Sequence, residues 1–179
     1  MVAISTDTQP ALIERARKIA RGVAYSTKDA GHLLNVRASN MSALADQPDH
    51  FARWLAKRGR RDAGAMFAPR ALYGAYAEHV LRSASSGFGG PSLTRVRDAA
   101  VACRREGEAW SITLSSGRAI EADSVVLALG NPPARPLPVF DQAGISLVNP
   151  WDPNALARIG AGDVLLLGAG LTMIDAALS

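Results

Sequence analysis

The residues best placed to do chemistry in this chain are two glycines and one acid, each at the end of an apolar run. Val164-Leu165-Leu166-Leu167 runs into Gly168-Ala169-Gly170-Leu171-Thr172. A glycine at the end of a strand permits a tight turn, and a second one lets the amides of the following helix approach a diphosphate. The third position of Gly-x-Gly-x-x-Gly is occupied by Met173. A bare Gly-x-Gly also makes an ordinary strand-to-helix turn, so this spacing alone leaves a nucleotide site and a plain turn both open. The place where an acid or arginine would read the ribose, about 20 residues on, lies past Ser179. Near the start, Ala11-Leu12-Ile13-Glu14 is a short apolar run ending in a carboxylate. That is the pattern of a buried parallel strand, expected beside Ser124–Leu129, with an acid at its C-terminal edge, a position suited to ribose hydroxyls.

Other reactive side chains read as structural. Cys103 is the only cysteine, with no partner thiol, and falls at the end of a strand pattern, so we expect a partly buried packing residue. His32, His50 and His79 lack tight ligand spacing, and no metal site is expected. His50, beside Asp49, reads as a surface residue. Arg70, just after Pro69 at a helix start, suits either a phosphate contact or a surface cap.

The elements that must position these residues follow from pattern. Residues 21–41 carry glycines and polar residues without a sustained period and read as an ordered loop. Asp46 as N-cap, Pro48 in the first turn and Phe51, Trp54 and Leu55 at helical spacing predict a helix to about Arg58. A second helix is predicted from Pro69 to about Arg82, with Leu72, Tyr76 and Val80 as one stripe, widened by Tyr73. The serine- and glycine-rich segment 83–92 reads as a surface connection. Val96–Ala102, Trp110–Leu114 and Ala119–Ala122 predict an antiparallel meander, followed by a strand at Ser124–Leu129. Pro132, Pro133, Pro136 and Pro138 predict an extended crossing. A short helix over Asn154–Ile159, a parallel-type strand over Asp163–Leu167 and a helix from Leu171 complete the pattern.

Composition narrows the class. An apolar share of 48% over 179 residues is that of a globular protein able to bury a core. No apolar stretch approaches the roughly 20 residues a membrane helix needs, and the first ten residues lack a secretory pattern, so a cytoplasmic location is expected. The net charge of +4 invites a nucleic-acid reading. Its densest run, Lys57-Arg58-Gly59-Arg60-Arg61, contains no aromatic residue and is better explained as a solvated helix end and loop.

Taken in order, RGVAYST, HLLNV, FAPRALYGAY, VVLALGNPP, NPWDP and VLLLGAGLTMIDAALS, preceded by Ile13-Glu14, resemble the FAD/NAD(P)-binding flavoprotein family of bacterial oxidoreductases. The resemblance implies an α/β, Rossmann-like fold with a helical insertion at 46–82 and a meander at 93–122. It implies an FAD-binding domain over 1–148 and the opening of a second, NAD(P)-binding domain over 149–179. The cofactors would be FAD and NAD(P)H, the activity hydride transfer between them, and the partners dinucleotides and an unidentified small substrate.

Glu14 would bind the FAD ribose. The loop carrying Arg21, Gly22, Tyr25, Asn35 and Met41 would border the flavin, with His32 a weaker candidate, and Ala128-Leu129-Gly130-Asn131 would pass the FAD. Gly168, Ala169, Gly170, Leu171, Thr172 and Asp175 match the family's second nucleotide motif. The family opens with a strand and a glycine turn holding the FAD diphosphate, and the first ten residues here contain no glycine. On this basis the chain is expected to be cut at both ends and, by itself, to hold FAD weakly. The alternative reading is a non-catalytic nucleotide-binding module or an inactive remnant.

Overall fold

The computed structural model describes residues 2–6, 9–86, 92–130, 138–145, 147–150, 152 and 159–177. The elements are β1 Val2–Thr6, β2 Gln9–Ile13, α1 His50–Ala56, α2 Arg70–Ser86, β3 Thr94–Val96, β4 Ala100–Glu106, β5 Ala109–Leu114, β6 Ala119–Ala122, β7 Ser124–Leu127, α3 Pro138–Gln142 and α4 Leu171–Ala177. They fall into two compact units, Met1–Gly22 with Ala77–Pro132 and Val23–Tyr76 with Pro133–Ser179. Mixed helices and small sheets fit an α/β nucleotide-binding fold.

In the first unit, one sheet has the order β3-β2-β1-β7. β2 and β3 are parallel, while β1 is antiparallel to both β2 and β7. Three strands therefore share one direction and β1 alone opposes them. Two residues separate β1 from β2, too few for the crossover that a parallel pair requires, so the two close as a hairpin. This corrects the expectation that the strand ending at Glu14 lies beside Ser124–Leu129: β1 takes the place between them. β7 also stops at Leu127, two residues early.

The meander forms as β4-β5-β6. Its tight turns carry Gly107 and Gly117 at φ +67° and +85°, where a side chain would be strained. Its first strand starts later than expected, at Ala100, because Thr94–Val96 leaves to pair with β2. Asp98 marks the break: its carboxylate accepts the Ala99 amide at 2.7 Å and the Ser115 hydroxyl. The serine hydroxyl, then Ser116 and the Ala99 amide, hold that carboxyl down at about 2. Alternate residues of β5 turn inward, so that Ile112 and Leu114 join Ile13 and Ala122 in one core. Cys103, Trp110 and Val125 pack against it, as expected for the cysteine.

In the second unit, α1 buries Phe51, Trp54 and Leu55. Phe51 meets Tyr73 edge-on at 5.1 Å and Tyr76 at 4.9 Å. The loop before α1 is ordered by backbone bonds from Leu34 to Ala68 (2.9 Å), Ala38 to Met66 (2.9 Å) and Ser39 to Gly64 (3.1 Å). α1 starts at His50 with Asp49, not Asp46, at the cap, and Asp49 is held by Arg53 one turn on at 3.3 Å. α2 runs past Arg82 to Ser86, and the Ser85 hydroxyl satisfies the Leu81 carbonyl at 2.7 Å.

Pro138 opens α3 instead of belonging to an extended segment, since proline's fixed φ suits a first helical position. Residues 131–137 and 153–158, which carry the rest of the expected crossing and most of the short helix, lie outside the described residues. Residues 163–167 form no strand: among the described residues no ladder reaches them, and Val164–Leu167 are exposed.

Candidate functional site

The strand directions bring two of the expected segments to one edge. Ile13 and Leu127 are both in register with Val2, one from each side. Glu14 and Ala128 therefore leave the sheet at the same level, two strand spacings or about 10 Å apart. Both stand at carboxyl ends of co-directional strands, where open α/β sheets receive their ligands.

The turn after β2 is preset. Glu14 donates its amide to the Val96 carbonyl at 3.0 Å, and its carboxylate accepts the Ala16 amide at 2.9 Å. Arg95, on β3, donates from its guanidinium to the carbonyls of Ala16 and Arg17. Arg15, Arg17 and Lys18 are exposed around it. The Glu14 carboxylate thus sits inside a turn surrounded by exposed cationic side chains.

Arg21 does something the sequence did not advertise. It grips Glu78 through two parallel bonds, Nε to Oε1 at 2.8 Å and Nη2 to Oε2 at 3.0 Å. The Glu78 carboxylate is lowered, chiefly by that hydrogen bond against a smaller cost of burial, and the guanidinium is raised by the same bond. The pair fixes the chain where Gly22, at φ +58°, turns away. Ala128, Leu129 and Gly130 are exposed, Gly130 at φ +69°, while Asn131 lies outside the described residues.

In the second unit, Tyr25 packs on Tyr73 with ring centroids 4.7 Å apart. Met41 is half-buried and donates its amide to Ala38 at 3.2 Å; Asn35 is exposed. His32 bonds Thr27 at 2.9 Å and lies 3.8 Å from the Asp29 carboxylate, all within one loop. His50 is half-buried and more than a surface residue: its Nδ1 lies 2.8 Å from the hydroxyl of fully buried Tyr76.

α4 starts at Leu171 as expected, and the Met173 amide bonds the Gly170 carbonyl at 2.9 Å. Gly168 holds φ +109°, open only to glycine. At Gly170 a Cβ would meet nothing within 4 Å, so the chain's own packing does not require a glycine there. Asp175 pairs with Arg70 at 3.3 Å, both largely buried, and Arg70 also donates to the Leu33 carbonyl at 3.0 Å. Arg70 is thus an anchor between α2, α4 and the loop.

Glu78 and the His50–Tyr76 bond escaped sequence reasoning. A single acid on a helix and a histidine 26 positions before a tyrosine carry no local pattern. Among the described residues no group of metal ligands forms, and no helix is long and apolar enough to cross a membrane.

No curated protein and no solved structure matches the chain. A family model described as FAD-NAD(P)-binding matches residues 4–132, from β1 through the segment after β7. With most of its length so matched, this chain belongs to the FAD-NAD(P)-binding family, and its cofactors are FAD and NAD(P)(H).

Proposed function

We propose that the chain is part of an oxidoreductase in which FAD lies along the carboxyl edge of the first sheet and accepts hydride from NAD(P)H. The observation that carries this reading is the shared register of Ile13 and Leu127 across Val2, which sets Glu14 level with Ala128–Gly130. In this reading the domain over 1–148 serves FAD, and the segment from 149 opens the nicotinamide site. Bound flavin would supply the hydride chemistry, as cofactors do in such enzymes. The chain's part is to hold and orient.

The Glu14 carboxylate would accept from ribose hydroxyls, and Arg15, Arg17 and Lys18 would face phosphate charge. Tyr25, Asn35 and Met41 would border the flavin, with Arg21 and Gly22 fixing where their loop begins. Ala128, Leu129, Gly130 and Asn131 would pass the FAD. Gly168, Ala169, Gly170, Leu171 and Thr172 would receive the second diphosphate, with Asp175 held by Arg70. Family membership does not favour the alternative of a non-catalytic remnant.

The test is titration of the purified chain with FAD, followed by flavin fluorescence and absorbance, for the parent and Glu14→Ala. Loss of the ribose bonds should weaken FAD by about tenfold or more, since hydrogen bonds to charged groups contribute roughly 1.5–3 kcal/mol each. Equal affinity in the two proteins would remove Glu14 from the site.

A further inference from the structure

The chain contains three tyrosines, and all three stand in one line of touching rings. Tyr25 and Tyr73 have centroids 4.7 Å apart, Tyr73 and Tyr76 5.5 Å, and Tyr76 and Trp54 5.7 Å. Tyr76 is fully buried, and its hydroxyl is fully occupied. The Ala43 amide donates to it at 3.2 Å, and His50 Nδ1 lies at 2.8 Å. The Ser42 hydroxyl is farther, at 3.4 Å, and donates at 2.7 Å to the Gln47 carbonyl. With His50 Nδ1 unprotonated, the phenolic proton points to it and the imidazole is its acceptor.

We propose that Tyr25, Tyr73 and Tyr76 form a path for one-electron oxidising equivalents that ends at the Tyr76–His50 pair. The oxidant would be a light-excited, oxidised isoalloxazine beside the 21–41 loop, so the source rests on the proposed flavin site. One electron would pass from Tyr76 through Tyr73 and Tyr25 to that excited acceptor. The O–H bond of Tyr76 breaks, and its proton forms an N–H bond at His50 Nδ1. The products are a neutral phenoxyl radical and an imidazolium, so charge and atoms balance.

Two features stop the hole at Tyr76. A phenol is hard to oxidise unless its proton has somewhere to go, and His50 supplies that place at hydrogen-bond distance. Beyond Tyr76, the Arg58 guanidinium lies 3.6 Å from the centre of the Trp54 ring. A cation on that face favours the neutral, electron-rich indole and opposes a positive hole on it.

Flash oxidation of the full chain with photogenerated tris-bipyridyl ruthenium(III), read by transient absorption and electron paramagnetic resonance, tests the path without any flavin. Every tyrosyl signal must come from these three rings. The expected result is a tyrosyl radical whose formation slows in deuterium oxide. His50→Leu should slow it by about tenfold, the worth of a strong acceptor bond, and abolish the solvent isotope effect. Absence of a tyrosyl, or a parent protein without an isotope effect, overturns the path whether or not the variant folds. The experiment is then repeated with light-excited FAD as oxidant. A radical with ruthenium and none with FAD overturns the flavin as source and counts against the flavin-border reading of the loop, while leaving the ring path standing.

Discussion

Replacing Glu78 by glutamine removes one charge from the Arg21 pair while keeping its shape. The side chains are 13% and 20% exposed, so the pair lies between two measured regimes. Exposed ion pairs contribute about 0–1 kcal/mol, and breaking a buried one costs about 3–5 kcal/mol. Glutamine still accepts one of the two bonds made at 2.8 and 3.0 Å, which places the loss at about 1–2 kcal/mol. For a chain of this size each kcal/mol moves Tm by about 2–4 °C, so Glu78→Gln should melt about 2–8 °C lower at neutral pH.

The pH dependence gives the sharper test. The folded-state carboxyl of Glu78 is lowered, first by the Arg21 hydrogen bond and further by the charges of Arg21, Lys18 and Arg82. A lowered carboxyl contributes stability that is fully present above its unfolded value, about 4.3, and lost as pH falls through the folded value. The difference in urea midpoint between parent and variant should therefore be constant from neutral pH to about 5 and close below about 4. Coincident unfolding curves at neutral pH, or a gap that survives unchanged at low pH, would refute the reasoning.

Three further outcomes are expected. Gly168→Ala, which forces a Cβ into φ +109°, should destabilise the turn by about 1–3 kcal/mol, read by urea unfolding followed through circular dichroism. Gly170→Ala meets no neighbour and should leave Tm within about 1 °C, while lowering NAD(P)H affinity in a fluorescence titration. Phe51→Ala, emptying a fully buried position ringed by Trp54, Tyr73 and Tyr76, should cost about 3–5 kcal/mol of unfolding free energy.

What could be read from the sequence depended on how local the signal was. The meander was legible because turn glycines and alternating apolar residues act over a few positions, as in Trp110, Ile112 and Leu114 between Gly107 and Gly117. α1 was legible from Phe51, Trp54 and Leu55, although its start moved from Asp46 to His50, since two nearby acids, Asp46 and Asp49, offer competing caps. Strand partners were not legible. Thr94–Val96 looks continuous with the meander but pairs with β2, and Val164–Leu167 has a strand's composition without a ladder. Composition says that a segment can pair; only the fold says with what. The same gap hid Glu78, which becomes informative only when a loop 57 residues away brings Arg21 to it.

The displacement of β2 from beside β7 does not displace Glu14 from the carboxyl edge of the sheet, because that edge is set by strand direction and not by neighbour identity. β2 and β7 are each antiparallel to β1 and so run the same way, and their shared register with Val2 keeps their ends level. Inserting β1 widens the gap between Glu14 and Ala128 by one strand, about 5 Å, and leaves both at the same edge. The inserted strand has a consequence of its own. Running oppositely, β1 points its carboxyl end away from the edge where a diphosphate beside Glu14 would lie. Such a diphosphate would meet the turn after β2 instead, where Arg95 holds the Ala16 and Arg17 carbonyls and the side chains of Arg15, Arg17 and Lys18 stand exposed. Flexible cations at that position neutralise phosphate charge without the fixed geometry of a helix start, so cofactor binding at this edge should weaken steeply with added salt.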